Sequence, residues 1–132
     1  MKHTTTISLT LRARSPVPET RAELHLGEGR AAHRFVADEE QHDLKITQDL
    51  EEGQHNLFLH FRTPGGSNAA LQIIGMRIQG VPLYSALRHG CYHAWGDTQD
   101  PVQGTLDMAG AGTWIYPVNV PAHTKYWGVG FA

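Results

Sequence analysis

The sequence predicts an all-β domain, an antiparallel β-sandwich or jelly roll, and three observations carry that prediction. Segments in which apolar and polar residues alternate recur between residues 6 and 78, as expected of half-buried strands. Turn-forming residues separate them at the short spacing of a sandwich. No stretch holds the apolar period of a long amphipathic helix.

The first strand is the clearest by pattern. In TISLTLRA at 6–13, Ile7, Leu9, Leu11 and Ala13 fall on one face and Thr6, Ser8, Thr10 and Arg12 on the other. Pro16 and Pro18 then stop it, because proline has no N–H to give to a ladder. Short strands are expected around Ala22–Leu26, His33–Ala37 and Asp43–Gln48, where Leu44 and Ile46 alternate with Asp43, Lys45 and Thr47. Gly27 and Gly29 punctuate the first gap, and DEEQ at 38–41 the second.

A turn at Gly53 launches a strand that points Leu57, Leu59 and Phe61 inward and Asn56, Phe58, His60 and Arg62 outward. Phe58, apolar on a polar face, is expected beneath a loop or a partner. After TPGGSN at 63–68, the segment ALQIIGMRIQG carries Leu71 and Ile73 in one phase and Ile74, Met76 and Ile78 in the other. That phase change beside Gly75 predicts a β-bulge. The β-branched residues together with Gly75 and Gly80 argue against a helix. Leu83–Arg88 is given a turn or two of helix at most.

From Tyr84 onward the chain is rich in glycine, aromatics and turn residues, with a long irregular stretch at 96–112. Closing strands are expected at Thr113–Val120 and Lys125–Phe131. The whole of 1–132 is read as one domain, with core strands at roughly 4–80 and an aromatic, loop-rich region with closing strands at 81–132; a chain of this length suits a single core.

Composition excludes several classes of function. Eleven Lys and Arg against thirteen Asp and Glu leave a net charge of −2, which offers no basic field to nucleic acid or to an anionic membrane. No apolar run approaches the roughly 20 residues of a membrane span. The start MKHTTTISL lacks the apolar core of a secretion signal, so synthesis in the cytoplasm is expected. The single cysteine, Cys91, cannot form an internal disulfide.

Nine histidines are scattered from His3 to His123. The most metal-like grouping is His89-Gly-Cys91-Tyr-His93, since alternate residues of a strand project to one side and could offer two imidazoles and a thiolate to zinc. No fourth ligand is evident from spacing, and the expected reading is a partly buried thiol flanked by exposed imidazoles, with no metal and no cofactor. There is no nucleophile elbow, phosphate loop or dinucleotide fingerprint; GAGTW at 110–114 is too short and opens a strand. Asp97, Asp100 and Asp107 could supply a carboxylate pair for glycoside hydrolysis, but they lie where aspartate commonly caps local backbone. No catalytic residue is assigned.

The aromatics give the better functional signal. Tyr84, Tyr92, Trp95, Trp114, Tyr116, Tyr126 and Trp127 all follow residue 83, before which the only such rings are phenylalanines. Tyrosine and tryptophan combine a large apolar face with a polar edge, which suits protein interfaces and the stacking of sugars. The rival role for each is to fill the core beneath the loops. Trp114 and Tyr116 share a strand face, so at least one belongs to the core.

GQHNLFL at 53–59, ALQII at 70–74 and IQGV at 78–81 resemble the jelly-roll carbohydrate-binding modules of the xylan-binding type. The order Tyr92, Gly112-Thr113-Trp114, Pro121, Trp127 is similar to that of small proteins of tailed bacteriophages, in which such a core precedes an aromatic tail. Calcium-dependent xylan modules carry acidic residues where this chain has Thr63-Pro-Gly-Gly-Ser-Asn68, and calcium prefers several hard, preferably anionic oxygens. The resemblance therefore implies a non-enzymatic virion protein, decorating the capsid or belonging to the tail or fibre. Its partners would be other virion proteins and further copies of itself, with neither nucleic acid nor membrane. The alternative is a glycan-binding module in which Tyr92, Trp95 or Tyr126 supplies the stacking platform; an enzyme ranks third.

Overall fold

In the computed structural model the chain is described at residues 2–15, 17–27, 33–36, 40–64, 68–95, 102–104 and 106–120. Among these residues there are strands β1 (Lys2–Arg14), β2 (Arg21–Leu26), β3 (His33–Val36), β4 (His42–Glu51), β5 (Gly53–Arg62), β6 (Ala70–Ile78) and β7 (Val81–Leu83). A 3-10 turn (Ser85–His89) follows, then β8 (Cys91–Ala94), β9 (Val102–Gln103), β10 (Asp107–Ala109) and β11 (Gly112–Val120). They form two antiparallel sheets, one ordered β10-β6-β1-β4 with β7 beside β6, the other β3-β2-β5-β11-β8-β9.

The alternation read from the sequence is what places the core between these sheets. Ile7, Leu9, Leu11 and Ala13 of β1 are buried, as are Leu57, Leu59 and Phe61 of β5, and they join one apolar cluster spanning both layers. β1 lies inside the first sheet, with Leu9 opposite Leu44 on one side and Met76 on the other. β5 is inside the second, with Leu59 opposite Leu24 and Trp114. Between β4 and β5 the chain changes sheets across Glu52, and Gly53 at φ +130° supplies the backbone that a side chain would strain.

The bulge forms as expected. Thr10 pairs with Gly75 and Leu11 with Ile73, so Ile74 is the residue without a partner across β1. Leu71, Ile73, Met76 and Ile78 all reach the core, while Ile74 is left 42% exposed.

Two expectations need correction. Within the stretch expected to be irregular at 96–112, the described residues include two strands: β9 pairs with β8, and β10 pairs with β6 so that Met108 opposite Leu71 is buried. Strands this short show no alternation to read. β4 extends beyond Gln48 to Glu51, because pairing with β1 and the bond from Thr4 Oγ1 to Asp49 (2.6 Å) hold a polar run extended until Leu50 is buried again. β3 is described at His33–Val36, and Ala37, the last residue expected of it, lies outside the described residues. The strand expected at Lys125–Phe131 lies outside the described residues.

β3 and β4 close the same flank of the sandwich, each the last strand of its sheet among the described residues. His33 Nε2–H donates to the Lys45 carbonyl at 2.7 Å and links them.

Candidate functional site

The outward face of the second sheet gathers side chains of a distinctive kind. Cross-strand pairing places Glu23, His60, Thr113 and His93 in one row across β2, β5, β11 and β8. His25, Phe58, Ile115 and Cys91 form the adjoining row. Because the period of a strand is two, residues paired in this way project to one side.

Phe58 lies beside His25, with ring centroids 4.8 Å apart and planes 18° from parallel, and 6.1 Å from His60. The sequence expectation of a loop or a partner over Phe58 is replaced by these imidazoles, which come from β2 and from β5 itself. His25 and His60 meet through their Nε2 atoms at 2.9 Å, with centroids 5.0 Å apart, so the rings point tip to tip. His25 Nδ1–H donates to the Gly27 carbonyl at 3.0 Å. His60 Nδ1 lies 2.8 Å from Thr113 Oγ1, and the Trp95 indole N–H donates to the same oxygen at 2.8 Å.

Trp95 follows β8 immediately. Its backbone N–H donates to the Ala111 carbonyl at 3.1 Å, and the Arg62 guanidinium sits 5.2 Å from its ring centroid. The indole is 42% exposed, whereas Thr113, which points the same way, is only 8% exposed. His60 is held below the usual histidine range, first by burial and then by the charge of His25, which together with Arg62 outweighs the opposing pull of Glu23. Its neutral form is therefore favoured.

The aromatics singled out by sequence separate into different roles. Trp95 is on the exposed face just described. Trp114 and Tyr116 are both fully buried, with rings 5.5 Å apart and the tyrosine hydroxyl donating to the Ala86 carbonyl at 2.7 Å. Neither can touch a partner or a sugar, because β11 turns both into the core. Tyr92 is half-buried against that core and its hydroxyl donates to the Gly110 carbonyl at 3.1 Å, so it too is a packing residue. Tyr84 is 59% exposed beside a separate depression on the first sheet, shared with Thr10, Asp43 and Arg77. Tyr126 and Trp127 lie outside the described residues.

Sequence reasoning read His25 and His60 as scattered imidazoles and named Thr113 only as a strand start and in the Gly-Thr-Trp match, not as a site residue. The outward position of Phe58 and His60 was a signal, but their neighbours follow from strand register. Of the zinc-like trio, Cys91 and His93 lie on this face while His89 belongs to the preceding 3-10 turn. Among the described residues no three His, Cys, Asp or Glu side chains converge to hold a metal ion. Asp107 pairs with Arg14 at 2.9 Å; Asp97 and Asp100 lie outside the described residues.

No protein-family model matches this chain, and no curated protein matches it. Among solved structures it is similar to vCBM60 in complex with galactobiose, with a TM-score of 0.59 at 11% identity over 86% of this chain and 99% of that one. It is also similar to the selenomethionine form of vCBM60, with a TM-score of 0.59 at 12% identity over 85% and 89% of the two chains. That structure's description concerns a circular permutation linking two families of calcium-dependent carbohydrate-binding modules. At such identities the likeness establishes the fold, a β-sandwich like that of these modules. The resemblance drawn from the sequence is thus met at the level of fold; the similarity reaches neither a xylan type nor a phage protein.

The described residues do not fit a calcium ion. Besides the missing cluster, the carboxylates of Asp43 and Asp49 each accept a threonine hydroxyl at 2.6 Å, and that of Asp107 is engaged by Arg14.

Proposed function

We propose that the chain is a non-catalytic carbohydrate-binding domain that holds a glycan on the outward face of its second sheet, with Trp95 as the principal stacking surface. The carrying observation is the Trp95 ring itself, part-exposed yet fixed in orientation by its bond to Thr113 and flanked by Arg62 and His60. A pyranose offers an apolar C–H face and a rim of hydroxyls; an indole meets the first, and imidazole and guanidinium groups meet the second. The similarity in fold to vCBM60 in complex with galactobiose supports this reading. It ranks ahead of the virion-subunit reading, for which neither the fold nor this face supplies an observation.

Affinity electrophoresis against a panel of soluble polysaccharides tests it. Trp95→Ala is expected to weaken retention at least about tenfold, or about 1.4 kcal/mol, while the thermal midpoint shifts by only a few degrees. Retention of no polysaccharide or oligosaccharide by the unaltered chain would overturn it.

A further inference from the structure

The bonds beneath Trp95 form a chain whose two ends fix every proton in it. At one end the Gly27 carbonyl can only accept, so His25 carries its hydrogen on Nδ1. In the neutral ring this leaves a lone pair on His25 Nε2, which must accept from His60 Nε2–H. His60 Nδ1 then has a lone pair, and the Thr113 hydroxyl donates to it. At the other end the indole can only donate, and Thr113 Oγ1 accepts from it. One arrangement of protons satisfies all four bonds when both imidazoles are neutral.

One added proton fits the same geometry. Whichever ring takes it, one Nε2–H still faces one Nε2 lone pair, His60 moving its hydrogen to Nδ1 where His25 is the charged ring, and Thr113 Oγ1 accepts from both His60 Nδ1–H and the indole while its own hydrogen turns away from His60. A second proton does not fit, since two N–H groups would face each other across 2.9 Å. The tip-to-tip approach of the rings also argues against a shared metal ion, for which the two lone pairs must converge on a point beside the line joining them.

We infer that His25, His60 and Thr113 are positioning residues for Trp95, and that they form a proton-counting latch: the platform is held with zero or one proton on the histidine pair and released by the second. Release separates the imidazoles, removes their packing against Phe58 and frees Thr113 from its double role beneath the indole. The charged and titratable groups facing the pair among the described residues are Glu23 on β2, Arg62 on β5 and His93 with Cys91 on β8, while β11 contributes Thr113, Ile115, Pro117 and Asn119. At His60 burial and then the charge of His25 oppose protonation, Glu23 favours it, and Arg62 opposes it. The consequence for ligand retention rests on the carbohydrate reading above; the latch does not.

Nitrogen-15 NMR of the imidazole rings tests it on the isolated domain. At neutral pH His25 is expected in the Nδ1–H form and His60 in the Nε2–H form. On acidification the Trp95 indole resonance, assigned with Trp95→Phe, is expected to hold through the first protonation of the pair and to move with the second. In His25→Phe, which leaves a single imidazole, that acid-induced movement is expected to be lost. Both rings in the Nε2–H form at neutral pH, or an indole resonance indifferent to the pair, would overturn the latch. If His25→Phe does not fold, the tautomers of the unaltered chain decide alone. The stated tautomers with no glycan retained at any pH uphold the latch and remove the carbohydrate reading; glycan retention with the wrong tautomers does the reverse.

Discussion

His60 links the face of the domain to its stability. In the unfolded chain its imidazole titrates near 6.5, and in the fold it does so lower, chiefly because it is partly buried. Between those two values the unfolded chain binds a proton that the folded chain does not, so the contribution of His60 is complete above pH 6.5 and falls as pH drops through the window. The urea midpoint is therefore expected to decline on acidification from about pH 7.5 towards 5, and His60→Gln is expected to reduce that decline. An equal decline in the variant would show that other groups carry it. Gly90 and Gly112 act differently, by being absent: a Cβ at Gly90 would overlap the Trp114 indole, and one at Gly112 would overlap the Tyr92 ring and the His93 carbonyl. The glycine-rich composition that reads as looseness in the last third is, at these two positions, what lets large rings lie against backbone.

Elements were legible in proportion to their length and alternation. β1 and β5 each carry a long period-two pattern, and the residues assigned inward there are buried; in β11 the shared face of Trp114 and Tyr116 called for at least one of them in the core, and both are. The bulge in β6 was also readable, because two apolar phases meet at Ile73 and Ile74 and one extra residue is the least change that sends both phases inward. Adjacent isoleucines therefore have unequal weight. Ile73→Ala, at a position 2% exposed, is expected to cost about 2–5 kcal/mol in urea unfolding. The same change at Ile74 is expected to cost under about 1 kcal/mol, and equal losses would contradict the register. β9 and β10, with two and three residues, left no period to find. The candidate site was legible only in halves: the outward phase of β5 names Phe58 and His60, but their junction with His25, Thr113 and Trp95 depends on partners distant in sequence.

At the scale of the molecule, alternation alone implies two layers, since each half-buried strand needs an opposing apolar face. It does not say which strands adjoin. β2 lies beside β5 and β10 beside β6, pairings that no local pattern announces, and so the sequence could not tell which outward face would collect the imidazoles. Two-layer folds also leave terminal strands whose unpaired backbone can recruit another chain. Here the contact from His33 to the Lys45 carbonyl gives that flank a clasp: an acceptor that could seed growth of the sheet is already occupied, from the opposite layer. His33→Ala is expected to raise concentration-dependent association, measured by static light scattering, and identical scattering from the two chains would show the clasp to be idle. With that carbonyl engaged, strand addition at β4 by a neighbouring copy has one acceptor fewer to start from.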